Sequence, residues 1–487
     1  MSTLIKGGRI ITAADDYVGD VFVDGDRIAM LGESLDVDAD RVIDASGKYV
    51  LPGCVDPRTH LDMPFGGTVT IDDVTSGQTA AAFGGTTCHV DFCIQTPGSS
   101  FANALDTWHG KREGKQIIDM GFHIAVTDLR EGGSLEELAR LPEQGITSYK
   151  LFMAYKGALM VDDETLFRTM EVAADTGALV MVHAENGDAI DVLVKQALTA
   201  GNTAPHFHAL TRPPELEGEA TNRAIQLARI AGAPLYVVHV SCKEAVDPIA
   251  RAREQGWDVW GETCTQYFFI DYTYLERPDF EGAKYVYTPP PRTRENQEIL
   301  WHAVRSDILS AISTDHCAFL WDGQKSLGRD DFSKIPNGGP GLENRLHMIH
   351  EFGVRTGRIS LNRMVELLAT NPAKLFGLYP RKGTIAPGSD ADIVVFDPAR
   401  RDAAFEGGLQ PVRGHRGDRV ARGRAASRQR ARRGRRVGRG AWGGRVRRAG
   451  RIRAGAPASV GSLDDSCAET RRTSSPLSGA LRASTDA

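Results

Sequence analysis

Five side chains able to ligate a metal or act as a buried base stand on five short apolar runs. His60 closes the run 52–60, Lys150 lies within 145–155, His183 closes 179–183, His239 closes 235–239, and Asp315 closes 308–315. Imidazoles and carboxylates together suit zinc or manganese. The lysine is unusual, because a strand interior rejects uncompensated charge. Taken singly, a strand histidine is most simply a satisfied core residue and a strand lysine half of an ion pair. Five such groups at the ends of five runs shift that balance, since they would gather metal-type ligands at the carboxyl edge of a parallel barrel, where barrel enzymes keep their chemistry.

The elements that must position these residues follow from the hydrophobic pattern. Strand-like runs at 55–60, 86–91, 121–126, 148–152, 179–183, 235–240, 258–263 and 311–315 alternate with helical patterns of ten or more residues. That rhythm is the signature of βα units, and eight runs are the number a (β/α)8 barrel needs. Before them, short alternating runs at 3–11, 20–23, 27–31 and 49–51 are separated by Gly and Asp turns and predict a small β unit. A helical stretch at 361–376 precedes a second β-rich segment, 383–397, expected to rejoin that unit. The expected organisation is therefore α/β: a small β-sandwich-like domain from 1–52 plus 381–400, a catalytic barrel at 53–380, and an arginine-rich tail at 401–487.

Composition bounds the setting. The chain is 41 % hydrophobic and 25 % charged, ordinary for a globular protein. No apolar run approaches the ~20 residues that span a bilayer, and the first residues lack a signal-peptide core. Seven cysteines without a C-x-x-C pair predict reduced thiols and a cytoplasmic protein. The net charge of −5 conceals a split: residues 401–487 hold 21 Arg, no Lys and seven acidic residues, leaving 37 basic and 56 acidic residues in 1–400. Two parts so different rarely form one folded unit.

Taken together, Asp56-x-Arg58-x-His60, Lys150, His183, His239 and Asp315 resemble the cyclic amidohydrolases, most closely the D-hydantoinase/dihydropyrimidinase branch. The segments 60–68, 182–188, 261–264, 284–290 and 335–340 extend the resemblance, which covers residues 1 to about 400. It implies hydrolytic ring opening of hydantoins or 5,6-dihydropyrimidines to N-carbamoyl amino acids. It also implies two divalent ions, usually zinc, bridged by a CO2-derived carbamate on Lys150. His60 and Asp315 would then hold one ion, and His183 and His239 the other. Asp315 would act as general base and acid, and Tyr155 would stabilise the developing oxyanion. Thr288 and Asn337 would bind the ring amide. An allantoinase- or dihydroorotase-like substrate is the alternative within the class; a non-catalytic relative acting as an interaction protein is the alternative outside it. The implied partner is a small cyclic amide, with no membrane, and a homo-oligomer, commonly a tetramer.

Two departures qualify that expectation. The family pattern is D-x-H-x-H, and Arg58 stands where its first histidine belongs. A guanidinium stays protonated, has no acceptor and repels a nearby cation, so a weakened or empty first metal position and little activity are expected. The second departure is the tail. Reading permitted codons for 401–421 one base later yields a stretch similar to the family's C-terminal segment, so 401–487 reads as out-of-frame translation. A disordered basic arm that binds nucleic acid is the competing reading. On the out-of-frame reading the small β unit is expected to lose its last strands, and assembly is put in doubt.

Overall fold

The computed structural model describes residues 1–400 of the 487-residue chain. The arginine-rich stretch 401–487, with the readings attached to it, lies outside the described residues. The chain opens with β1 (Ser2–Ile11), β2 (Asp16–Asp24), β3 (Arg27–Gly32), β4 (Arg41–Asp44) and β5 (Tyr49–Pro52). With β16 (Ile393–Phe396), these form one sheet of order β16-β5-β1-β2-β3, β4 pairing alongside β1. The segment after the barrel thus returns to the first sheet, as expected: β16 runs antiparallel to β5, Val395 opposite Val50. Ile5, Ile10, Val21, Ile28 and Val50 fill the core of this unit. The short strand β4 was not anticipated; its four residues, Arg-Val-Ile-Asp, are exposed or half-buried and give no clear alternation.

Eight parallel strands form the second sheet. They are β6 (Cys54–Thr59), β9 (Thr86–Ile94), β10 (Asp119–Ala125), β11 (Ser148–Phe152), β12 (Leu179–His183), β13 (Leu235–Val237), β14 (Val259–Cys264) and β15 (Ala311–Ser313), paired in that order. A hairpin of β7 (Pro64–Phe65) and β8 (Thr68–Val69) rises from the loop after β6. The barrel closes between its first and last strands through a parallel bridge of Thr59 with His316. The buried Arg345 fastens the same seam, donating to Val55 O at 3.2 Å and Ile312 O at 3.0 Å. The fold is a (β/α)8 barrel with an additional β unit.

Local sequence explains the intervening helices. In Asp163–Thr176 the Asp162 side chain accepts from the Thr165 amide at the N-terminus, and Gly177 turns left-handed (φ 74°) at the other end. Leu166, Met170 and Ala173 fall on one face and are buried. Lys382 ties the β unit to the amino-terminal edge of the barrel. Its ammonium pairs with Asp390 and Asp392 near β16 and with Asp119 on β10. No helix among the described residues is long and apolar enough to cross a membrane, and the six described cysteines are all free and buried.

Candidate active site

The residues singled out by type and spacing converge on the carboxyl rim of the barrel. Lys150 sits within β11 and His183 ends β12. The other three lie just past their strands: His60 follows β6, while His239 and Asp315 stand two residues beyond β13 and β15. Those two strands are shorter than expected for a local reason. His239 (φ 44°) and Asp315 (φ 51°) adopt the left-handed backbone, which ends strand pairing, and Tyr155 (φ 68°) and Asp62 (φ 53°) do the same on the rim. Such conformations are unfavourable for residues other than glycine and collect at functional sites.

Two groupings share this floor. In one, His183 Nδ1 faces His239 Nε2 at 2.8 Å, while His183 Nε2 meets Glu185 Oε2 at 2.9 Å. The Glu185 carboxylate fixes the proton of His183 on Nε2 and leaves the Nδ1 lone pair turned towards His239. Burial lowers the pKa of both imidazoles, keeping them in the neutral, ligating form. In the other, Arg58 is the hub. Its Nη1 lies 2.5 Å from Asp315 Oδ1, its Nη2 donates to Cys264 Sγ at 2.7 Å, and its Nε donates to Glu262. Glu262 in turn accepts from the Tyr236 hydroxyl at 2.9 Å. His60 Nε2 meets the same Asp315 oxygen at 3.0 Å.

Electrostatics follow from this packing. Burial pushes the Asp315 carboxyl up, but Arg58 and His60 more than offset it and hold the group well below the usual carboxylate range. Burial, reinforced by the Arg58 charge, holds the Lys150 amine well below the ordinary lysine range. Lys150 Nζ has no hydrogen-bond partner; the same is true of the buried His60 Nδ1 and His239 Nδ1. Buried polar atoms are nearly always satisfied, so the partnerless Lys150 amine is the exception that a bound group would complete.

The donor set divides when tested against a metal. Around His183 and His239 the fit is good: neutral imidazole nitrogens face each other, with an unpaired lysine amine close by. Beside His60 and Asp315 it is not. Arg58, only 2 % exposed, fills that side with a group that has no lone pair and carries its own positive charge. Tyr155 lies against His183 (ring centroids 5.2 Å) and Phe65 of the hairpin (5.4 Å). Its phenol lies beside the side chains of Thr288 and Asn337, which partly offset the rise in its pKa caused by burial. All eight residues named from sequence are therefore brought to one rim. Glu185, Glu262 and Cys264 were present in the resembling segments but had no role; only the hydrogen bonds across the barrel reveal one.

The sequence model of the Amidohydrolase family matches residues 49–415. A D-hydantoinase from Geobacillus stearothermophilus is 56 % identical over 399 residues, 82 % of this chain and 84 % of that protein. A D-hydantoinase from Streptomyces coelicolor is 53 % identical over 401 residues, 81 % of this chain and 85 % of that protein. The crystal structure of a dihydropyrimidinase from Brevibacillus agri superimposes with a TM-score of 0.81 at 57 % identity, covering 82 % of this chain and 86 % of that one. The chain belongs to the amidohydrolase family. Within it, these matches place it in the D-hydantoinase/dihydropyrimidinase branch. Members of the amidohydrolase family are metal-dependent and generally binuclear, which makes the guanidinium of Arg58 the chief anomaly of this member.

Proposed function

We propose that the chain is a cyclic amidohydrolase that opens hydantoins or 5,6-dihydropyrimidines to N-carbamoyl amino acids, at a rate limited by Arg58. The observation that carries this reading is the convergence of His60, Lys150, His183, His239 and Asp315 on one barrel rim beside the Tyr155, Thr288 and Asn337 wall. His183 and His239 would hold one divalent ion, zinc by the chemistry of the donors, with Lys150 contributing as its carbamate. When bound, such an ion polarises the scissile carbonyl and lowers the pKa of a water.

The remaining chemistry belongs to the chain. Tyr155 donates its phenolic hydrogen to the carbonyl oxygen as negative charge develops there. Thr288 and Asn337 orient the ring amide. Asp315 takes a proton from the attacking water and returns it to the departing amide nitrogen. The 2.5 Å contact with Arg58 opposes that last task, because it stabilises the unprotonated carboxylate and weakens it as a base. In the Arg58→His variant the metal content should rise from one to two ions per chain. Hydrolytic ring opening of hydantoin, measured as the N-carbamoylglycine it yields, should accelerate by about 10²-fold or more, the scale of a restored general base. Equal metal content and equal rates in the two proteins would refute the assigned role of Arg58. Absence of product from both would refute the ring-opening reading.

A further inference from the structure

Two further lysines are buried outside the candidate metal centre among the described residues: Lys382, paired with three carboxylates, and Lys325. Lys325 is 3 % exposed. Its ammonium donates to three main-chain carbonyls: Val286 O at 3.1 Å, Pro336 O at 2.6 Å and Gly338 O at 2.9 Å. Among the described residues no carboxylate lies within 4.0 Å of it. Burying a cation without an anion is costly, so the arrangement needs a reason beyond core packing, for which an apolar side chain would serve better.

The three carbonyls identify one. Val286 lies two residues before Thr288, and Pro336 and Gly338 flank Asn337 on both sides. The ammonium therefore joins the two segments whose side chains meet the Tyr155 phenol. The contact is close: Gly338 N donates to Val286 O at 3.0 Å, and a Cβ on Gly339 would lie 2.7 Å from the Tyr287 ring. Gly338 itself has φ 142°, a conformation that side chains rarely adopt. The lysine is anchored from behind as well. Its neighbour Gln324 donates to Thr68 Oγ1 at 2.9 Å and Val69 O at 2.7 Å on the hairpin that carries Phe65 against Tyr155.

We propose that Lys325 is the positioning residue of the substrate wall: its three-way clamp sets the separation of the segments bearing Thr288 and Asn337. The inference rests on the ring-opening reading for its kinetic consequence, but not for its structural one. Lys325 touches neither substrate nor metal ligand; it acts through the two segments. Loosening them removes binding that ground state and transition state share, which raises KM and leaves kcat nearly unchanged.

The test uses the full chain and its Arg58→His form, each with Lys325→Met and with the milder Lys325→Gln, which keeps amide donors should the methionine variant fold poorly. Peptide-level hydrogen exchange should accelerate in 285–290 and 335–340 together, with metal content unchanged. In the Arg58→His background, KM for hydantoin should rise about 10-fold while kcat stays within about 3-fold. Unchanged exchange in either segment overturns the clamp. Faster exchange spread evenly over the barrel, with KM unaltered, shows a merely structural lysine and overturns the positioning role. If the Arg58→His parent itself neither binds nor opens hydantoin, the ring-opening reading fails, and the exchange arm still decides the clamp.

Discussion

The Glu185 carboxylate does more for the candidate centre than its distance from any reaction suggests. By accepting from His183 Nε2 it selects the tautomer that presents Nδ1 to His239. Carboxylates behind a ligating histidine typically contribute 10–100-fold to metal affinity. Glu185→Ala is therefore expected to weaken zinc binding by about 10–100-fold, measurable by competition with a chromogenic chelator, while the fold stays intact by circular dichroism. Unaltered affinity would mean that His183 finds its tautomer without help. At Arg58 the same scale of argument runs the other way. One side chain both stands where the family pattern has its first histidine and captures Asp315, so its effect on proton transfer and on metal content should appear together.

At the scale of elements, polar chains inside the barrel wall keep the rim in register. Gln78, on the helix Val74–Phe83, accepts from the Ile117 and Ile118 amides and so must turn its NH2 group to His89 Nε2, 2.9 Å away. His89 then donates from Nδ1 to Thr59 Oγ1 at 2.8 Å, and Thr59 donates to Asp91 at 3.0 Å. His123 likewise bridges Pro57 O and Ser148 Oγ across the barrel interior. Burial holds both histidines neutral, pulling each down to about 3. An unfolded chain protonates them below about pH 6.5, so between there and about 3 the unfolded state binds the extra protons. The stability they allow is full above pH 6.5 and falls as pH drops, by about 1.4 kcal/mol per pH unit for each histidine. Urea unfolding at pH 7, 6 and 5 reads this slope; a flat profile would show that neither ring stays neutral. These chains also mark where sequence stops being legible. The strands β11 and β12 were readable end to end, because a run of apolar residues bounded by turn residues carries its own limits. β13 and β15 were not, since the left-handed turns at His239 and Asp315 cut them short. Gln78, His89 and Lys325 carried no signal at all: their roles arise only between residues far apart in the chain.

For the molecule as a whole, the two sheets are joined by charge as well as by apolar contact, with the Lys382 ammonium shared among Asp119, Asp390 and Asp392. The barrel seam, closed by Arg345 and by the bridge of Thr59 with His316, brings His60 and Asp315 together from the two ends of the barrel sheet. Binding a ligand only in the folded state raises apparent stability in proportion to occupancy. Chelation with EDTA should therefore lower Tm less in this chain than in Arg58→His, where two ions rather than one would be withdrawn; equal shifts would show that Arg58 does not displace an ion. The guanidinium also changes what the protein requires of its surroundings. Part of the positive charge at its centre is made at the ribosome, translated with the chain and impossible to strip away. Under trace-metal shortage that part would persist while any bound ion depended on supply, so the contacts of Arg58 with Asp315, Glu262 and Cys264 should outlast the metal.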